Sequence, residues 1–87
     1  MAFSSTLQER GVDGNVPYKT YKLTDVQTNG SSIVYTGFKK VLFVSAVNQT
    51  DIADTFRPAW NAYSGGNVTL TASTADDDGV MTVWGLN

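Results

Sequence analysis

The chain contains no cysteine and no histidine. The first absence excludes disulfides and thiolate metal sites. The second removes the commonest metal ligand and the commonest general base. Only 16% of the residues are charged, and six basic side chains stand against eight acidic ones. That slight acidic excess argues against a phosphate-neutralising surface, so nucleic acid is not an expected partner. No apolar run approaches the length that crosses a bilayer. Residues 1–10 carry neither the basic lead nor the apolar block of a secretory leader. A soluble protein without a membrane partner is expected.

Eighty-seven residues make one domain. A chain of this length buries only about two-thirds of its unfolded surface. Small domains compensate with disulfides, metals or self-association. With cysteine and histidine missing, self-association is the expected route.

What is present is rich in threonine, serine, asparagine and β-branched residues, the composition of sheets with hydroxyl-bearing outer faces. Residues 1–15 are polar and broken by Gly11 and Gly14, and are expected as an N-terminal arm or tail with Phe3 and Leu7 as its apolar anchors. Residues 16–87 are expected as a single β domain. Val16–Val26 reads as the first strand, with Tyr18 on one face and Tyr21 and Leu23 on the other. Asn29-Gly30 marks a turn, and Ile33–Tyr35 a short strand. Lys39–Asn48 reads as a central strand covered on both faces, Val41, Phe43 and Val47 facing one way and Leu42, Val44 and Ala46 the other. In the long connection that follows, Asp51–Asp54 suits one helical turn capped by Thr50, and Ala59–Tyr63 a short strand carrying Trp60. Asn67–Thr74 alternates cleanly, with Val68, Leu70 and Ala72 inward.

Asp76-Asp77-Asp78-Gly79 then reads as the turn of a hairpin whose last strand is Val80–Trp84. That strand is apolar on both sides: Val80, Trp84 and Leu86 share one, Met81 and Val83 the other. A solvated strand alternates apolar with polar, so this one is expected to be covered twice, once by its own core and once by another copy or a larger assembly. The fold class expected is all-β, a small antiparallel β-sandwich or barrel of five to six short strands with an N-terminal arm.

No constellation reads as catalytic. The three consecutive aspartates lack the spaced pattern of a calcium loop. Asp51 and Asp54 offer no carboxylate pair across a cleft. No serine has a nucleophile elbow or a histidine to serve it, and Ser64-Gly65-Gly66-Asn67 lacks the lysine and helix of a phosphate loop. The expectation is a non-enzyme with no cofactor and no metal. Trp60, Tyr63 and Trp84 suit core or interface packing, with a glycan platform as the alternative.

Thr36-Gly37-Phe38-Lys39-Lys40-Val41 leads into the apolar strand, and Asn67-Val68-Thr69-Leu70-Thr71 and Met81-Thr82-Val83-Trp84-Gly85 follow. This arrangement, over residues 33–87, resembles a group of short tailed-bacteriophage virion structural proteins. They share a Thr-Gly-(apolar)-Lys turn and a final strand closing in an aromatic or small residue and glycine. The resemblance implies a capsid decoration or cement protein that binds and stabilises the mature head shell as a homotrimer. Its partners would be itself and the major capsid protein. It would be made in the host bacterial cytoplasm and sit on the virion's capsid surface. A tail or fibre module is the alternative in the same class, and a glycan-binding β-sandwich the alternative in another. The doubly apolar strands point to Val41, Phe43, Met81, Val83 and Trp84 as the oligomer interface. The arm and the long loop point to Phe3, Leu7, Arg57 and Trp60 as the capsid contact.

Overall fold

The computed structural model describes residues 2–61 and 65–87. Among them are seven strands: β1 (Ser4–Asp13), β2 (Val16–Val26), β3 (Ser32–Tyr35), β4 (Lys40–Asn48), β5 (Phe56–Trp60), β6 (Asn67–Ala72) and β7 (Asp77–Leu86). Sheet A has the order β1-β2-β7-β4 and sheet B the order β3-β6-β5. All strand pairings within the two sheets are antiparallel. The protein is therefore an all-β sandwich, as the alternating pattern requires.

The strand absent from the sequence reading is β1. Residues 4–13 pair with β2 from Ser4↔Thr24 to Asp13↔Val16, with a bulge at Gln8. Its hydrophobic pattern is weak because it is exposed along nearly its whole length. Backbone pairing to β2 holds it in place. Phe3, just before it, packs against the core.

The core lies between the sheets. Tyr21, Leu23, Val26, Val41, Val44, Met81 and Val83 come from sheet A, and Val34, Phe56, Val68, Leu70 and Ala72 from sheet B. Two expectations change here. β4 is an edge strand of sheet A, and β2 and β7 are its interior strands. The Asp turn does not close a hairpin either, because β6 lies in sheet B and β7 in sheet A. Residues 73–76 instead carry the chain from one sheet to the other.

The 51–54 segment is a tight turn rather than a helical one. The Asp51 carboxylate accepts the Ala53 N–H at 2.9 Å, and the Asp51 carbonyl accepts the Asp54 N–H at 3.1 Å. Thr50 faces β7, where its hydroxyl accepts the Asp78 N–H at 2.8 Å. β5 runs Phe56–Trp60, earlier in the chain than expected. Pro58 is tolerated there because β5 is an edge, where a missing donor breaks no ladder.

The Thr36-Gly37-Phe38 turn ties the two sheets together. Gly37 takes φ +80°, a left-handed conformation that a side chain would strain. The buried Thr36 hydroxyl donates to the Gly66 carbonyl at 2.7 Å and accepts the Phe38 N–H at 3.2 Å. Lys19 donates from Nζ to the Thr36 carbonyl and lies 4.8 Å from the Phe38 ring centroid. Replacing Thr36 with valine keeps the shape but strips both hydroxyl bonds, leaving the buried Phe38 N–H without an acceptor. The expected loss is about 1–3 kcal/mol of unfolding free energy, read from urea denaturation midpoints.

Candidate functional site

The candidate surface is the outer face of sheet A. The register sets its side chains in rows that cross the strands. Gly11, Tyr18, Trp84 and Phe43 lie in one row; Glu9, Thr20, Thr82 and Ser45 in the next; Thr6, Lys22, Val80 and Val47 in a third. Leu86 continues the Trp84 side of β7. A bulge in β4 between Val41 and Phe43 adds Leu42 to the same edge.

That bulge corrects the face assignment made from sequence. A bulge inserts one residue and shifts the alternation of everything beyond it. Val41 therefore faces the core with Val44, while Phe43 and Val47 face out, each with more than half its surface exposed (56% and 55%). Of the residues expected at an oligomer interface, Val41, Met81 and Val83 are fully buried in the chain's own core and cannot meet a partner. Phe43 and Trp84 do lie together on the outer face, their ring centroids 5.4 Å apart and tilted by 42°. Such a pair adds about 0.5–1.5 kcal/mol beyond its buried area. Leu42, Val47 and Leu86 belong to the same exposed set beyond the residues expected at the interface; for Leu42 the outward direction depends on the bulge.

The polar elements of this face are mostly uncharged. Thr20 and Thr82 share a hydroxyl hydrogen bond of 3.2 Å. Tyr18 donates to the Glu9 carboxylate at 3.2 Å, and that hydrogen bond, with the negative charge behind it, raises the phenol above its ordinary pKa. Val12, Asp13, Tyr18, Thr20, Thr82 and Trp84 line an open depression of about 380 Å³. It is too shallow to exclude water around a reacting group, but it adds relief to an otherwise flat sheet face.

The residues expected at a capsid contact do not gather into one surface. Phe3 and Trp60 are half-buried and pack against the core. Leu7 is on the exposed edge strand β1, and Arg57 is exposed on β5 of sheet B. The aromatic platform of Trp60, Tyr63 and Trp84 is not assembled either. Trp60 and Trp84 lie in different sheets, and Tyr63 lies outside the described residues.

The acidic run spends its carboxylates on neighbouring turns. Asp76 accepts from the Gln27 side chain at 2.7 Å, Asp77 from the Asn48 side chain at 2.8 Å, and Asp78 from the Asp25 N–H at 3.0 Å. Among the described residues, no three acidic side chains are grouped so as to hold a metal ion.

Two shifts of opposite sign arise here. The hydrogen bond from Gln27 lowers the Asp76 carboxyl pKa. A shared hydrogen bond with Asp77 raises that of Asp54, with some burial adding to it. A raised folded-state pKa gives stability that is complete below the unfolded carboxylate value and is lost as pH rises through the folded one. Asp54→Asn keeps a neutral side chain at every pH. It is expected to raise the thermal midpoint at pH 7, and the gain should vanish at about pH 3, below the ordinary carboxylate range. Thermal melts at the two pH values check this.

No family model matches the chain, and no curated protein and no solved structure matches it.

Proposed function

We propose that the protein is a structural component of a tailed-bacteriophage virion, a decoration or cement subunit that attaches to the mature head shell through the outer face of sheet A. The observation that carries this reading is that face. It exposes Phe43, Val47, Leu42 and Leu86 beside Trp84, where a solvated sheet presents polar side chains. The likeness of its Thr-Gly-Phe-Lys turn and final strand to those of phage virion proteins supplies the partner, the major capsid protein.

The mechanism requires no chemistry. A subunit that binds the expanded shell but not its precursor or its dissociated pieces stabilises the assembled state by mass action. Self-associated subunits that touch the shell at more than one point gain further through effective concentration. The glycan-binding alternative has less support, because Trp60 packs against its own core and is not presented as a platform.

The test is to mix the purified protein with expanded and unexpanded head shells of the phage that encodes it and pellet them. Saturable pelleting with expanded shells alone, with a raised temperature of shell rupture, is the expected outcome. Folded protein that stays in the supernatant with both shells refutes the reading.

A further inference from the structure

Three of the four sheet edges carry features that discourage pairing with another chain. β1 has the Gln8 bulge followed by Glu9 and Arg10, β3 is four residues long, and β5 contains Pro58. The fourth edge, β4, has none of these beyond its bulge. It is nine residues long, and from Val41 to Gln49 it carries no charge and no proline. Among the described residues, the backbone hydrogen bond on its free side is at its start, where the Gly65 N–H donates to the Lys39 carbonyl at 2.8 Å; β5 of the other sheet comes near this strand but makes no backbone hydrogen bond to Phe43–Val47.

The hydrogen-bond phase of this edge can be read from its far end. The Gln49 N–H donates to the Asp78 carbonyl at 2.8 Å. In an antiparallel ladder, bonded and unbonded residues alternate. Val47, Ser45 and Phe43 therefore bond to β7. The N–H and C=O groups of Val44 and Ala46 point to the free side.

We infer that a second copy of this chain pairs with β4 edge to edge, antiparallel, about a two-fold axis at Ser45. Two constraints select this register. The free backbone groups must meet each other, so Val44 must oppose Ala46 of the copy and Ala46 must oppose its Val44. The pairing must also use the regular stretch beyond the bulge, Phe43–Val47, which opposes itself completely only when centred on Ser45. Each Val44 N–H then donates to an Ala46 carbonyl and each Ala46 N–H to a Val44 carbonyl.

The side chains fit the same register. Phe43 falls opposite Val47 of the copy, twice over, an aromatic and β-branched pair of the kind that stabilises sheets. Ser45 meets Ser45, so the hydroxyl row Thr20–Thr82–Ser45 continues into its mate. Lys40 lies beyond the paired stretch, and no like charges meet. The product is a continuous eight-stranded sheet in which the apolar outer faces of the two copies become one. This pairing stands independently of shell binding and is read without shells.

The experiment uses the full chain and its lack of native cysteine. Light scattering on a dilution series is expected to give twice the 9.4 kDa chain mass. A monomer or a trimer would overturn the inference. Two single-thiol variants at exposed positions then test the register under mild oxidation. Ser45→Cys places the thiols directly opposite each other in a non-hydrogen-bonded pair, within disulfide reach, and should cross-link nearly completely. Val47→Cys places them about 13 Å apart along the strands and should not cross-link. Equal cross-linking of both, or of Val47→Cys alone, would overturn the register. Ser45→Lys sets two ammonium groups opposite each other and is expected to weaken the dimer by roughly tenfold, while its thermal midpoint as a monomer stays near that of the parent.

Discussion

Gly79→Ala is expected to cost at least about 3 kcal/mol of unfolding free energy, the upper end of what overpacking a core costs. A Cβ at this position would lie 2.1 Å from the Val47 carbonyl oxygen and 2.4 Å from the Phe56 ring. The first of these contacts is main chain, so no rotamer change relieves it. β4 and β7 would have to part where Asn48 opposes Gly79, which also disturbs the hydrogen bond of Asn48 to the buried Asp77. A domain of this length holds a total of roughly 4–13 kcal/mol. The variant should therefore show a folded-to-unfolded ratio lowered about a hundredfold or more, with a sharply lower urea midpoint. A midpoint equal to the parent's would mean that β4, β7 and Phe56 do not meet this closely.

Trp84→Ala is expected to reduce shell affinity by about 30-fold or more, the loss typical of a central aromatic anchor. Trp84 lies on the outer face, in the row between Tyr18 and Phe43, so truncating it opens no cavity between the sheets. The fold loses one tilted aromatic pair, worth about 0.5–1.5 kcal/mol. Trp84 is on β7, one strand in from the β4 edge, and gives that edge no backbone group, so the solution mass should not change. Ile52→Ala is the matched control. Ile52 is fully exposed in the turn between β4 and β5, away from the face. Equal losses from both variants would remove the outer face of sheet A as the attachment surface.

These two positions also separate what was legible in the chain from what was not. The two-sided apolar pattern of the last strand is legible residue by residue: Val80, Trp84 and Leu86 lie on one side, Met81 and Val83 on the other. The alternation of β6 and the bounds of β2 were equally plain. In each case the signal is local, because side chains of a strand alternate with period two whatever it pairs with. β4 shows where this reasoning stops. One inserted residue at Leu42 reverses the phase, and Val41 and Phe43 end on opposite faces although they are two apart. A bulge is a property of a pair of strands, and no signal within the β4 segment marks it.

The sequence alone specifies that the protein is all-β, where most strands lie, and that β7 carries apolar residues on both sides. Those properties follow from composition, turn residues and a two-residue period, all of which act within one strand. The tertiary structure makes β1 a strand at all, puts β7 inside its sheet and β4 at the edge, and assigns Val41, Met81 and Val83 to the core. It also decided that Phe43, Val47, Leu42, Leu86 and Trp84 share one outer face. These outcomes depend on which strands hydrogen-bond across long separations, and the free energy that selects them resides in pairings between segments.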